Sequence, residues 1–525
     1  MPAFLGYNPY FYKKLEVFQK QHFIDTISAG YQPKGDFIYL GAAMHKGQVF
    51  PEAAVKLPLK TMNRHGLIAG ATGTGKTKTL QILAENLSRK GVPVLLMDVK
   101  GDLSGLARPS LGEAFLYERH KKLAFPFEPA SSPVEILSLS EQNGIRMRAT
   151  VSEFGPVLLS RILELSPTQS GIISVVFKYC DDKHLPLLDL KDLKKILQFT
   201  TEAGKEEFES AYGRISAAST GAILRKIVAL EQQGADKFFG EKSFEVQDLL
   251  RKNKDGHGYI NILRLTDIQD RPKLFSTFML SLLAEIYSTF PERGDSDKPE
   301  LVLFIDEAHL FFDEASSALL DQIESIVKLI RSKGVGLYFV TQDPTDVPAE
   351  ILGQLGLKIQ HALRAFTAKD RKAIKLAAEN YPISEFYDTK NELTTLGIGE
   401  ALISALDEKG KPSPLAATML RAPVSRMDIL SKDELKELTE SSELKEKYNQ
   451  EIDRESAYEI LTHKIERADI EKAKEKAHQE RKKLEKTTSR RQRNTSTNSQ
   501  KTIVKVLTSA SFIRGVMGIL NKLMK

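Results

Sequence analysis

Short apolar runs, each closed by a polar or glycine-containing turn, recur at 67–69, 94–97, 301–305 and 336–340. Runs of that length and content predict buried strands. Elsewhere in the same region the apolar positions return at three- and four-residue steps, which predicts amphipathic helices. Strands alternating with helices predict an α/β fold with a mainly parallel sheet. Between the second and third runs lie about 200 residues, far more than a crossover needs. Helical periodicity at 154–163, 170–179, 190–199, 215–232 and 274–290 predicts a largely helical insertion over about 110–290, with one further strand at 258–263.

The two ends follow other patterns. Residues 1–60 predict a short leader with a helix within 10–27 and small β elements at 37–40 and 49–50, too little to hold a core of its own. The main domain is placed at 61–427. Beyond it, 428–486 is rich in Glu and Lys and nearly free of Gly and Pro, which predicts a charged, solvated helix or helix pair. The Ser/Thr/Asn/Arg-rich stretch 487–500 predicts a disordered basic linker. In 501–525, Ile503, Val506, Ala510, Ile513, Met517, Leu520 and Met524 form the stripe of a C-terminal amphipathic helix with a basic remainder. Docking on a protein subunit or weak contact with a membrane surface are its two readings.

Charge refines this picture. Of the net +6, all sits in residues 431–525, with 22 Lys+Arg against 16 Asp+Glu, while the first 430 residues hold 53 of each sign. The body therefore lacks a broad basic nucleic-acid signature, although a local patch or pore remains compatible with a neutral total. One cysteine, Cys180, excludes an intrachain disulfide and a cysteine-held metal cluster, and the expected location is cytoplasmic. No run of 18 apolar residues suggests a membrane span.

Candidate chemistry concentrates at the ends of the apolar runs. Gly70-Ala71-Thr72-Gly73-Thr74-Gly75-Lys76-Thr77 follows one strand and opens a helix, the setting in which a glycine-rich loop wraps a phosphate with its backbone N–H groups. A glycine-rich turn with a chance lysine would not carry both flanks. With Lys78, the stretch is the expected ATP contact, Lys76 reaching the β/γ-phosphate oxygens and Thr77 ligating Mg²⁺. The run 301–305 ends in Asp306 and Glu307, which fit a metal-shell acid and a base that polarises water. Gln342, ending the next run, fits a γ-phosphate sensor. Asp98, ending the second, fits either a helper acid or a residue fixing the following turn. Arg331 and Arg364, with Arg371, Arg421 and Arg426 behind them, are candidates for an arginine acting on a neighbouring subunit's phosphate, and the sequence does not choose among them.

Asn63 to Gly70 leading into the loop, the string Asp98 to Asp102, Asp306-Glu-Ala-His309, Arg331 to Gly336 and Thr341-Gln342 together resemble the HerA–FtsK superfamily of P-loop ATPases. Within it the chain resembles the bacterial family of helicase HerA-like C-terminal domain proteins, over about residues 55–430. The resemblance implies an ASCE/RecA-like core, with an extra strand between the phosphate-loop strand and the acidic strand. It implies the roles given above for Lys76, Thr77, Asp306, Glu307 and Gln342, and a homo-oligomer of hexameric-ring type working with ATP and Mg²⁺. Such proteins begin with a β-barrel domain, for which the 60-residue leader is too short. The implied function is ATP hydrolysis coupled to translocation on or remodelling of DNA, with duplex DNA as the candidate partner. The alternative is an ATP-dependent switch or scaffold acting on a protein partner.

Overall fold

In the computed structural model, residues 9–492 are described apart from 141, 268–270, 295, 313–316, 365–366 and 451. The apolar runs assemble into a twelve-stranded sheet: β1 (Phe37–His45), β2 (Gln48–Pro58), β3 (Gly66–Ala69), β4 (Val94–Asp98), β5 (Val134–Ser138), β6 (Ile145–Arg146), β7 (Ile260–Arg264), β8 (Leu301–Ile305), β9 (Val335–Thr341), β10 (Leu357–His361), β11 (Glu400–Ser404) and β12 (Ala416–Leu420). Their spatial order is β2-β1-β12-β11-β10-β3-β9-β8-β4-β7-β5-β6. From β10 to β6 every neighbouring pair is parallel, so these strands all end on one edge. Strands β3, β4, β8 and β9 are buried along their whole length, which explains why they read as unbroken apolar runs rather than alternating ones. One strand, β9, separates β3 from β8, the strand order that the resemblance implied.

The chain re-enters the sheet three times between β4 and β8, as β5, β6 and β7. Strand β7 lies where the sequence predicted one. Strand β5 was not predicted, because Glu135 interrupts its apolar run. That carboxylate is buried, where it pairs with Arg251 and accepts a bond from Ser442. The helices of the insertion are Ala114–Lys122 and a set between Val151 and Gln232, with a long helix Pro272–Thr289 leading into β8.

At the other edge, β1 and β2 form an antiparallel hairpin joined to the body through β12. The preceding helix Pro9–Gly30 buries Phe23 and Ile27, and Tyr31, directly after it, is buried as well. These residues belong to the same apolar cluster as Ile68, Leu83 and Val340, so the first 60 residues share the main core.

After β12 the chain packs on the body through the few apolar residues it has. Leu435 and Leu444 are buried, and Tyr448 is fully so, with its ring 4.8 Å from that of Phe244 and its hydroxyl donating to Asp248. Among the described residues, those up to Tyr458 form one compact unit and those from Glu459 a second. The second continues the 36-residue helix Ala457–Gln492, whose side chains from Asp469 to Lys483 are exposed. This helix runs into the first part of the stretch expected as a linker. The remainder of that stretch, 493–500, and the amphipathic segment expected at 501–525 lie outside the described residues. Among the described residues no helix is long and apolar enough to cross a membrane.

Candidate functional site

The loop after β3 is built by glycines that adopt a left-handed backbone. Gly73 has φ +77° and Gly75 φ +111°, conformations that side-chain-bearing residues avoid. At Gly70, a Cβ would lie 2.5 Å from that of His361, so the loop can pass β10 only without a side chain. Backbone bonds fix the loop on both sides, from Gly70 N–H to Thr341 O (3.3 Å) on β9 and from Ala71 N–H to Ala362 O (2.9 Å) after β10. Thr74 closes it internally by donating to Ala71 O at 2.7 Å. The helix Lys76–Arg89 starts directly at the loop, so its free N–H groups and positive dipole end face the same space. Lys76 Nζ lies within the loop, 2.7 Å from Gly70 O and 3.3 Å from Ala71 O. Thr77 is half-buried one residue further on, and Thr72 and Gly73 are exposed at the tip.

The acids after β8 lie on the same edge. Asp306 and Glu307 are both buried. Glu307 has φ +48°, a left-handed conformation for a residue that rarely takes it, and such strain clusters where function requires it. Its carboxylate forms an ion pair with Lys100, and its other oxygen is 3.2 Å from His309 Nδ1. The charges of Asp306 and Glu307 act on both Lys76 and Lys100, which brings the loop and the acidic strand into one cluster. Burial, aided by the like charge of Glu307, pushes the Asp306 carboxyl up to about 7, against the pull of Lys100. Burial also lowers the pKa of Lys76, as does the neighbouring Lys100.

The remaining predicted residues separate clearly. Gln342 ends β9 between the two halves of the cluster and accepts from Thr72 Oγ1 at 3.3 Å. Asp98 is fully buried at the end of β4, and its oxygens accept from the N–H groups of Gly101 (2.7 Å), Asp102 (3.2 Å) and Leu103 (3.3 Å). It fixes the turn that presents Lys100, the second of its two sequence readings. Arg364 follows β10 and stands exposed on the loop's own edge. Arg331 precedes β9, at the opposite edge of the sheet. The length of β9, about 20 Å at the usual rise, separates it from this chain's own loop. Arg421 and Arg426 are engaged within the chain, the first over the Phe125 ring and near Asn86, the second paired with Glu434. Lys78 donates to Met427 O at 2.5 Å.

Three contributors carry no role in the sequence reading. Lys100 was quoted only as part of a motif, and its exposed polar position after a buried strand was the available signal. Glu85 is fully buried on the helix Lys76–Arg89 and accepts from the N–H groups of Val424 and Ser425 and from the Ser425 hydroxyl. His361 is buried with Nε2 2.9 Å from Thr79 Oγ1, and burial lowers its pKa to about 4, which keeps it neutral. A surface cavity of about 480 Å³ lined by Tyr381, Pro382, Ile383 and Asp388 includes none of these residues.

This donor set suits a nucleoside triphosphate with Mg²⁺. Glycine N–H groups, a helix start and Lys76 provide positive potential for phosphates. A hydroxyl and a carboxylate, Thr77 and Asp306, are the hard oxygen ligands Mg²⁺ prefers, and it commonly takes few of them alongside phosphate oxygens. The raised pKa of Asp306 shows a buried carboxylate whose charge nearby cations only partly offset.

The family described as helicase HerA-like C-terminal matches residues 44–524. The chain is 25% identical over 359 residues to the "DNA double-strand break repair helicase HerA" of Saccharolobus solfataricus, covering 66% of this chain and 63% of that protein. It is 38% identical over 389 residues to the "Probable DNA double-strand break repair helicase HerA" of Methanocaldococcus jannaschii, covering 66% and 69%. It thus spans just under two thirds of the first relative's length. Among solved structures, the bacterial conjugative coupling protein TrwB aligns with 77% of this chain and 94% of its own, at 14% identity and a TM-score of 0.49.

Proposed function

The chain belongs to the helicase HerA-like C-terminal family, and from that premise we propose that it is a Mg²⁺-dependent ATPase that assembles as a ring and couples hydrolysis to movement on DNA. The observation that carries the hydrolytic part is the cluster of Lys76, Asp306 and Glu307 at the ends of β3 and β8, which have β9 between them. The relatives' helicase names support DNA as the polymer.

In this reading the loop N–H groups and Lys76 bind and orient the phosphates, while Thr77 and Asp306 hold Mg²⁺. The ion, when bound, offsets negative charge on the phosphate oxygens. Glu307 takes a proton from the attacking water, and Gln342, already bonded to the loop's Thr72, registers whether the terminal phosphate is present. For Glu307 to act it must give up its pairing with Lys100. Lys100 is therefore a restraint on the base, and Asp98 a positioning residue for the turn that carries it. Arg331, at the far edge of the sheet, is suited to a neighbouring subunit's phosphate rather than its own.

The Lys100–Glu307 pair also favours a second reading, a slow ATP-dependent switch acting on a protein partner, in which the base is released only on docking. The discriminating measurement is ATP turnover of the purified chain with and without duplex DNA across a salt series. Stimulation that fades with salt supports the DNA motor, whereas no stimulation at low salt in assembled protein favours the switch. Glu307→Gln is expected to keep ATP binding and lose at least about 100-fold in turnover. Normal turnover in that variant removes Glu307 as the base.

A further inference from the structure

A nucleotide held by this loop has a defined direction. Its terminal phosphate faces Asp306 and Glu307, which end β8 on the β9 side of the loop. Its other end must then extend to the opposite side, toward β10 and β11. On that side the turn before β11 lies directly against the loop. Gly399 N–H donates to Thr74 O at 2.9 Å, and a Cβ on Gly75 would stand only 3.3 Å from the Gly399 Cα. The neighbouring residue, Ile398, is 72% exposed.

The helix Ala114–Lys122 packs on the same turn. Arg119 donates through Nε to Leu420 O at 2.6 Å and through its guanidinium to Gly399 O. Phe115 precedes Arg119 by one helical turn and so lies on the same face, yet it is 60% exposed although its neighbour Leu116 is buried. An exposed aromatic residue one helical turn before Arg119 and an exposed aliphatic residue next to Gly399 are thus tied, through the Arg119 guanidinium, to the turn that packs on the phosphate loop. Those two carbonyl bonds hold the guanidinium plane and leave further N–H donors of the five unspent.

We infer that this surface beside the loop is the nucleobase subsite of the nucleotide, with Phe115 and Ile398 as its apolar contacts and Arg119 as a donor to ring or ribose acceptors. The inference rests on the reading that the loop at 70–77 holds the phosphates. An aromatic ring and an aliphatic side chain provide the flat apolar contact a heteroaromatic base requires, and covering them removes exposed apolar surface from water.

The test separates base from phosphates by measuring binding of MgATP and of Mg-tripolyphosphate, which lacks the base, to the full chain by calorimetry. The wild type is expected to bind MgATP at least about tenfold more tightly than tripolyphosphate. Phe115→Ala and Ile398→Ser, both at exposed positions, are each expected to weaken MgATP binding about three- to tenfold and leave tripolyphosphate binding unchanged. Variants that bind MgATP as the wild type does overturn the subsite. So does a wild type that binds the two ligands equally. Lys76→Ala reports on the phosphate reading separately, because it should weaken both ligands together. If it weakens neither, the loop assignment fails before the subsite is in question.

Discussion

Glu307 is held in an uncommon backbone conformation, almost out of contact with water, and tied to Lys100. Removing Lys100 leaves a buried carboxylate without its main cation, at a cost of about 1–3 kcal/mol. Lys100→Ala is therefore expected to lower the stability of the nucleotide-free protein by that amount in chemical denaturation. At the same time it frees the base, so basal ATP turnover should rise several-fold and depend less on added polymer. If turnover instead falls as far as in Glu307→Gln, Lys100 is required for hydrolysis and the restraint reading is lost. At this scale the sequence was legible wherever chemistry demands a residue type at a fixed local spacing. The glycines, Lys76 and Thr77 lie within one turn, and Asp306 and Glu307 directly follow their strand. Lys100 was not legible as a partner because its carboxylate arrives from a different strand, and the roles of Glu85 and His361 rest on contacts with residues far along the chain.

The helix Lys76–Arg89 can present its N-terminus to a phosphate only if its far half is anchored. Glu85 provides that anchor, since its carboxylate receives three donors from Val424 and Ser425 and lies near Arg421. Glu85→Ala strands those donors in the interior and is expected to destabilise the fold by about 3 kcal/mol, measured by denaturant midpoint. Glu85→Gln keeps an acceptor oxygen and should lose roughly half as much. An equal loss in both variants would mean that the negative charge, rather than the hydrogen bonds, holds the helix. Elements themselves were legible where burial is two-sided and unbroken, as in β3, β4, β8 and β9. Strand β5 was hidden by Glu135, whose burial is made tolerable by Arg251, a residue far along the chain. The hairpin of β1 and β2 was visible as short β elements, but its place in the main sheet was not. That place depends on pairing with β12 from the other end of the domain, and such pairing leaves no local pattern.

Across the whole molecule, the parallel strands set a polarity that makes Arg331 informative. It stands at the amino edge of β9 while Gln342 ends the same strand at the phosphate edge, so one chain cannot bring both to one nucleotide. In a closed ring with head-to-tail contacts, the surface carrying Arg331 meets the neighbour's phosphate edge and the site is completed in trans. Arg331→Ala should then resemble Glu307→Gln, with ATP binding retained and turnover lost. Mixing the two variants provides the sharper test. An interface regains activity when a chain with intact Glu307 holds the nucleotide and its neighbour supplies intact Arg331. In a random equal mixture that arrangement makes up about a quarter of interfaces, so turnover should recover to about a quarter of wild type after subunit exchange. A mixture that stays as inactive as its components, in protein shown to have exchanged subunits, would mean that Arg331 serves its own chain's structure and that another arginine, Arg364 on the phosphate edge first, completes the site.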